Sequence, residues 1–433
     1  MKKALVLKLS VQCGLIAAAA VMASAGINFD SPSGAGFRQN TDNSILSLPE
    51  AVPAEVEGPA DLSGGVPKEW TLMVFINAKN NLERFGMLDV NEMEMIGTTE
   101  KVNVVAELGR MDGYDASEGD WKGARRYLIR KDSEPEKITS PVLEDLEKAD
   151  MGDYRHLIDF ARWAKAAYPA KKYMLIVWNH GSGWTKISRV SGLRGISYDE
   201  ETGNHITTAQ LGLALRAMGK IDVYGSDACL MQMAEVVYEI KDSVDYIVGS
   251  EEIEPSDGYA YNDLLGLLSA NPSVSAEELG RLAVDAYADY YQAKNKGYTA
   301  SLVRTAAIPQ FLALANNFAE AVMTAGEEIN VKTAVSQAQR YAAIDNCDLW
   351  NFAELVAAGT VSASVRTGAE ALKDHISKNL IVHNRVHSSY ANSHGLAVYV
   401  PKYYYNRGYN NLSWAAASKW DELIGWYLKT APW

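Results

Sequence analysis

The sequence predicts an α/β protein with a mainly parallel central sheet sandwiched by helices. Three observations predict it. Short, nearly uninterrupted apolar runs recur at strand length, the segments between them carry apolar residues at helical spacing, and the two patterns alternate along most of the chain. Continuous apolar strands are those buried on both faces, which is the condition of a parallel sheet with helical crossovers.

Thr71–Asn77 is the first such run, and Asn80–Ile96 follows it with helical periodicity. Val102–Leu108 reads as a strand, Tyr154–Ala167 as a helix with Leu157, Phe160, Ala161 and Ala164 on one stripe, and Tyr173–Trp178 as a strand that runs into Asn179-His180-Gly181. A helix over Thr208–Met218 precedes the strand Ile221–Gly225, which ends at Ser226-Asp227-Ala228-Cys229. A helix over Leu230–Ile240, a strand over Tyr246–Ser250, a helix over 275–295 and a strand over Thr299–Val303 follow. Pro309 suits the first turn of the next helix, where its missing N–H costs nothing. Beyond it the chain is helix-rich, over 310–325, 331–341, 350–358 and 366–380, with a late strand over Gly395–Val400.

The resulting organisation is a leader over 1–25, a tether or pro-segment over 26–66, a main α/β domain over 67–306 and a helix-rich C-terminal subdomain over 307–433. Lys2, Lys3 and Lys8, the apolar run Leu15–Met22 and the small residues Ala23-Ser24-Ala25 have the layout of a cleaved export signal. Cys13 lies too early in that leader to suit a lipid anchor, and no later stretch is apolar for the length a membrane span needs. The expected location is therefore secreted, periplasmic or at the surface of a bacterial cell. The tether is rich in Ser, Pro, Gly, Asn and Asp and ends at Gly64-Gly65-Val66-Pro67.

The chain of 433 residues carries a net charge of -13, and loss of the three leader lysines takes it to -16. Such acidity repels nucleic acid and anionic membranes and favours basic or neutral partners. Export leaves Cys229 and Cys347. They can in principle pair, but Cys229 ends an apolar strand and Cys347 lies far away in a region read as helical.

In an open parallel sheet, ligands bind beyond the carboxyl ends of the strands. His180 and Cys229 both stand at such ends. A thiolate is a strong nucleophile, and an imidazole can take its proton and later give one to a leaving amine. Gly181 lets backbone approach a substrate closely, and its N–H with that of Cys229 would form an oxyanion hole. The positive end of a helix starting at Leu230 would favour the thiolate. A Cys at a strand end is also an ordinary small core residue, and a His beside Gly an ordinary loop residue.

Several ordered blocks then add a resemblance. WTLMVFINAKNNLE (70–83), YMLIVWNHGSGW (173–184), GISYDEETGNHITT (195–208), DACLM (227–231) and EPSDGY (254–259) resemble the clostripain family of cysteine peptidases, in the same order and at similar spacing. Met151-Gly152-Asp153 and Ser393-His394-Gly395-Leu396 also look like that family. The resemblance covers 68–270 strongly and the C-terminal third weakly.

It implies a caspase-like fold, catalysis by His180 and Cys229 through an acyl-enzyme, and cleavage after Arg or Lys in protein or peptide substrates. It places Asp227 in an acidic S1 pocket and matches a second pocket carboxylate to Asp257, although Ser256 stands where the family has Gly. Carboxylates beside a guanidinium or ammonium are a sound basis for such specificity, while Asp also caps turns and helices routinely. Glu251 and Glu252 are reserve pocket acids.

The family is made as a precursor cut between its His and Cys strands. Here Lys186, Arg189 and Arg194 stand in that loop as self-cleavage candidates, in a stretch whose ordinary alternative is a solvated loop that is never cut. No cofactor is required, and no cluster has zinc spacing. Calcium, used by some relatives, is the one cation left room for, at Asp199-Glu200-Glu201. His156, His205, His375, His383 and His387 look less useful, and His394-Gly395 is the one rival to His180-Gly181.

Two other readings stand beside this one: a secreted binding protein that keeps the scaffold without turnover, and a legumain-like peptidase with a different S1 preference.

Overall fold

Among the described residues thirteen strands are formed: β1 (Lys68–Asn77), β2 (Val102–Arg110), β3 (Gly123–Leu128), β4 (Val142–Leu146), β5 (Ala170–Trp178), β6 (Ile196–Asp199), β7 (Asn204–Ile206), β8 (Ile221–Asp227), β9 (Val244–Gly249), β10 (Thr299–Arg304), β11 (Asn346–Asp348), β12 (Ile381–Val386) and β13 (Ala397–Tyr399). They belong to a computed structural model in which residues 67–184 and 195–429 are described. The leader, the tether and the loop candidates Lys186, Arg189 and Arg194 lie outside the described residues.

Nine strands make one sheet in the order β12-β10-β9-β8-β5-β1-β2-β3-β4. The five central strands, β2, β1, β5, β8 and β9, are parallel. Both flanks are antiparallel, β3 and β4 at one edge and β10 and β12 at the other. The caspase-like, mainly parallel sheet is thus present, with three flanking strands the apolar pattern does not reveal. β3 is GARRYL, and Arg126 is buried within it only because Glu107, Glu144 and Asp159 surround its guanidinium. β12 carries His383 and forms the sheet edge just past the helix expected over 366–380. Cys347 likewise lies in a strand, paired with β13 apart from the main sheet.

Helices α1 (Glu83–Glu94), α2 (Tyr154–Ala167), α3 (Thr208–Met218), α4 (Ala234–Ile240), α5 (Tyr261–Ala270) and α6 (Ala276–Ala293) cover the sheet. Alternation along β1 splits the core. Trp70, Leu72, Val74 and Ile76 pack with α1, α5 and α6, whereas Met73 and Phe75 face α2, α3 and α4. Helices α7 (Ile308–Ala325), α8 (Glu328–Gln337), α9 (Leu349–Gly359) and α10 (Ala363–His375) extend the second of these cores. Pro309 stands in the first turn of α7, as its ring geometry favours.

One helix boundary differs from the sequence reading in a way that matters. α4 begins at Ala234, not Leu230, because Leu230 takes a left-handed conformation (φ 63°) and its N–H goes to Glu252 O. Cys229 therefore sits in a turn five residues ahead of the first residue of a short helix, outside the reach of that helix dipole.

Candidate active site

β2 lies on one side of β1 and β5 on the other, so the strand order reverses at β1/β5, and sheets of this kind bind ligands at such a reversal, beyond the carboxyl ends of the strands. Asparagines hold those ends. Asn179 accepts from Tyr198 N–H at 2.9 Å, and Asn80 donates to Tyr198 O at 2.9 Å. Asn77 donates to Ser197 Oγ at 3.1 Å. This knot fixes the exits of β1 and β5 against β6.

His180 follows directly. Its Nε2 lies 2.7 Å from Asn81 Oδ1, which makes Nε2 the protonated nitrogen and Nδ1 the basic one. Gly181 packs against the turn after β8 so closely that a Cβ there would stand 2.4 Å from Cys229 O and 3.0 Å from the Ala228 Cβ. The register of β5 on β8, with Trp178 opposite Asp227, makes that meeting inevitable. His180 and Cys229, 49 positions apart, are thus delivered to one place.

Cys229 and His180 are each 5 % exposed. The Cys229 sulfur accepts the Glu254 N–H at 3.4 Å. Burial, with Glu254 nearby, pushes its thiol up to about 12, and burial pushes His180 down to about 4. Each shift favours the neutral form of its group.

Asp227 is buried at the end of β8, where Oδ2 accepts from Tyr261 Oη at 2.8 Å and Tyr259 N–H at 3.1 Å. Burial pushes its carboxyl up to about 6. Gly258 has positive φ (58°), and a Cβ there would lie 2.9 Å from Asp227 Oδ1, so the turn closes on the acid without a side chain. Asp89, on α1, accepts Trp178 Nε1–H at 2.6 Å and is held well above its ordinary range by burial and by Asp227. Glu92, one turn along, accepts the Tyr261 N–H at 3.1 Å and is pushed up to about 7. Asp257 sits at the rim, 2.9 Å from Lys294 Nζ and 3.8 Å from Lys296 Nζ.

The other candidates go elsewhere. Glu251 accepts from Tyr341 Oη at 2.8 Å and Gly395 N–H at 3.1 Å, and Glu252 from Ala342 N–H at 3.0 Å, so both fasten the C-terminal third. His394 stacks on Trp350 with ring centroids 4.0 Å apart and bonds Asp348, far from Cys229 in role. Asp199 pairs with Lys79 at 3.3 Å and accepts the Met151 N–H, while Glu201 also meets Lys79. Lys79 thus lies between two of the three acids of that run. Cys229 and Cys347 are free thiols. Asn81, Asp89, Glu92 and Glu254 had no assigned role in the sequence; Asn81 and Glu254 lie within recognised blocks, but nothing local marks their side chains.

No described helix is long and apolar enough to cross a membrane. A model of the clostripain family matches residues 74–427. Clostripain of Hathewaya histolytica is 28% identical over 242 residues, 48% of this chain and 44% of that protein, so the match spans less than half of that relative's length. A secreted C11 cysteine protease from Bacteroides thetaiotaomicron, solved with an irreversible peptide inhibitor, has a TM-score of 0.61 at 19% identity, covering 82% of this chain and 99% of that one. An inactive zymogen C11 protease from Parabacteroides distasonis gives 0.62 at 18%, again over 82% and 99%. At such identity these two establish a common fold.

Proposed function

This chain belongs to the clostripain family of cysteine peptidases, and on that premise we propose that it is a secreted endopeptidase cleaving after Arg or Lys, with Cys229 as nucleophile and His180 as its proton partner. One observation carries the specificity. Asp227, Asp89, Glu92 and Glu254 gather beside the Cys229 turn, each held above its ordinary range. Buried like charges of this kind call for a cation, and a basic substrate side chain supplies one. Asp257 joins them when the substrate cation replaces its lysine partners.

The chemistry follows from the arrangement. As the substrate carbonyl approaches, the thiol proton passes to His180 Nδ1 and the sulfur attacks the carbonyl carbon. The N–H groups of Gly181 and Cys229 receive the developing oxyanion. The imidazolium then protonates the leaving amine, giving a thioester. Water, deprotonated by the same imidazole, hydrolyses it and restores the thiol.

The neutral Cys229 and His180 fit a latent resting form, which self-cleavage after Lys186, Arg189 or Arg194 would relieve. Ser182 and Gly195, the described residues near the two ends of that loop, are bonded N–H to O at 3.0 Å. A cut between them leaves the neighbouring site residues fastened. N-terminal sequencing of fully active enzyme tests this, and an intact chain overturns it. These steps call on no cofactor, and loss of activity with a calcium chelator would show that calcium is used. The export reading rests on the leader pattern, and the mature N-terminus found in culture supernatant checks it.

Hydrolysis of peptides ending in Arg, Lys, Asn or Asp by the wild type and Cys229→Ala tests the whole. Arg or Lys turnover lost in the variant is expected. Turnover of the Asn or Asp peptides alone would favour the legumain-like specificity. No turnover of any peptide, after limited trypsin treatment, would favour the non-catalytic scaffold.

A further inference from the structure

Glu254 has a side chain that the reaction above does not use. It belongs to the segment between β9 and α5, and its backbone grips the nucleophile, N–H to Cys229 Sγ at 3.4 Å. Its carboxyl turns the other way, toward that of Asp227. Glu254 is only 5 % exposed, and no N–H or O–H among the described residues donates to its Oε2.

All but one of the neighbouring donors are committed elsewhere. Tyr261 Oη and Tyr259 N–H are bonded to Asp227, Tyr259 Oη to Ser226 O, and Tyr291 Oη to Gly258 O. Tyr287 Oη, from α6, is itself buried without a partner, and Glu254 is the charge acting on it most strongly. Two facing carboxyls in such surroundings need either a proton or a cation between them.

We propose that Glu254 is a specificity-determining residue for basic substrates, holding a proton against Asp227 while the pocket is empty and releasing it when a guanidinium or ammonium enters. The proposal rests on the reading of an acidic S1 pocket given above. The exchange balances: the carboxyl proton leaves to solvent, and the incoming cation donates N–H bonds to Glu254 Oε2 and Asp227 in its place. Nothing else changes its bonding, and the Cys229 sulfur keeps its backbone donor. An asymmetric result follows. A neutral side chain at the cleaved position leaves the proton where it is and gains nothing from Glu254.

The titratable groups around Glu254 are Asp227 at the end of β8, Cys229 in the next turn, Asp257, Tyr259 and Tyr261 on its own side, Tyr287 and Tyr291 on α6, and Asp89 and Glu92 on α1. Asp227 is raised by burial and Glu254 further, by burial and by Asp227. Cation binding therefore strengthens as the pH rises and the proton becomes easier to remove.

The test is inhibition of the active full chain by benzamidine, a small guanidinium-like cation, against pH. In the wild type, Ki should fall by roughly tenfold per pH unit while the pair still holds its proton, the slope of a single linked proton. Glu254→Gln keeps a neutral partner for Asp227 but cannot ionise. It should bind benzamidine about 10-fold or more weakly at neutral pH, with a flatter profile. Glu254→Asp, which can still ionise, should retain the slope.

A merely structural role would lower kcat at every pH and leave the slope of Ki untouched, and that result overturns the proposal. Should Glu254→Gln fail to fold, calorimetry of benzamidine binding to the wild type in two buffers of different ionisation enthalpy decides. About one proton released near pH 6 supports the exchange, and none overturns it. A wild type that cleaves Arg and norleucine peptides equally well overturns the S1 pocket and this proposal together. Retained Arg preference with an unaltered slope in Glu254→Gln overturns this proposal alone.

Discussion

Gly181 and Cys229 meet through their backbones: a Cβ added at 181 would stand 2.4 Å from the Cys229 carbonyl oxygen. The contact is backbone on one side, so no rotamer change can relieve it. Gly181→Ala should therefore shift the nucleophile turn by a substantial fraction of an ångström. Displacements of that size cost on the order of 10²-fold in rate. The expected result is a folded protein with kcat/KM reduced by about that factor, read with an Arg peptide. Unchanged kinetics would mean that the two loops separate in the working enzyme.

Asn81 aims the imidazole. With its oxygen 2.7 Å from Nε2, it selects the tautomer in which Nδ1 is the base. Asn81→Ala should lower kcat by roughly 10- to 100-fold, within the range general base catalysis supplies, with little change in KM. Asn81→Asp should instead raise the His180 pKa through an adjacent charge and shift the acid limb of the rate profile upward. A KM effect without a kcat effect would contradict the assignment.

The thiol, pushed up to about 12, and the imidazole, pushed down to about 4, make a prediction about the resting form. Below its pKa a thiol gains about tenfold in thiolate per pH unit. Alkylation of the unprocessed protein by iodoacetamide should be slow at pH 7 and rise steadily to pH 10. A preformed ion pair would give a plateau already above pH 6. Mass spectrometry of labelled Cys229 distinguishes the two, and the Cys347 thiol, likewise raised to about 12, provides an internal comparison.

Glu235, on α4, is fully buried, with Oε1 accepting from Tyr399 N–H at 3.0 Å and Tyr409 Oη at 2.8 Å while Oε2 has no donor among the described residues. Burial pushes its carboxyl from 4.5 up to about 7. Between those values the folded chain holds a proton that the unfolded chain has lost. Stability from this group is thus full below about 4.5, falls as pH rises through that window and is lost above about 7. The change is ~3 kcal/mol at 1.36 kcal/mol per unit. Melting temperature against pH should show this decline, and Glu235→Gln should flatten it in part, since Glu92 acts in the same direction.

The C-terminal third supplies partners that the sheet cannot replace. Tyr341, Ala342 and Gly395 satisfy the buried Glu251 and Glu252, and β12 closes the edge beside β10. A chain ended at residue 306 should therefore be insoluble or molten, with two buried carboxylates unpaired and an apolar face uncovered. A sharp, cooperative melt of that fragment would contradict this.

What could be read from the sequence divides along physical lines. β1, β2, β5, β8 and β9 are legible because burial on both faces demands uninterrupted apolar residues. β3 and β4 are not, because Arg125 and Arg126 are charged residues whose burial or pairing depends on Asp145, Glu144, Glu107 and Asp159 from other segments. His180 and Cys229 could be placed because strand ends are where such a sheet does chemistry. The start of α4 is not legible either, because Leu230–Met233 has helical composition but a left-handed residue at its head. Glu254 and Asp89 carry no local signature at all; their significance arises only when β8, α1 and the segment after β9 converge.

The pairing of β5 with β8 has a bearing on what a cut between His180 and Cys229 would produce. Met174–Trp178 and Val223–Asp227 lie side by side in the middle of the sheet, yet they would belong to different polypeptides. The free thiols leave no covalent bond to join them. The two pieces would nevertheless be inseparable short of denaturation, since parting them means tearing the central sheet down its middle. A processed molecule would then travel as one body through a sizing column and as two bands on a denaturing gel. Subunit exchange between molecules would be negligible, so each would keep for life the mate it was synthesised with.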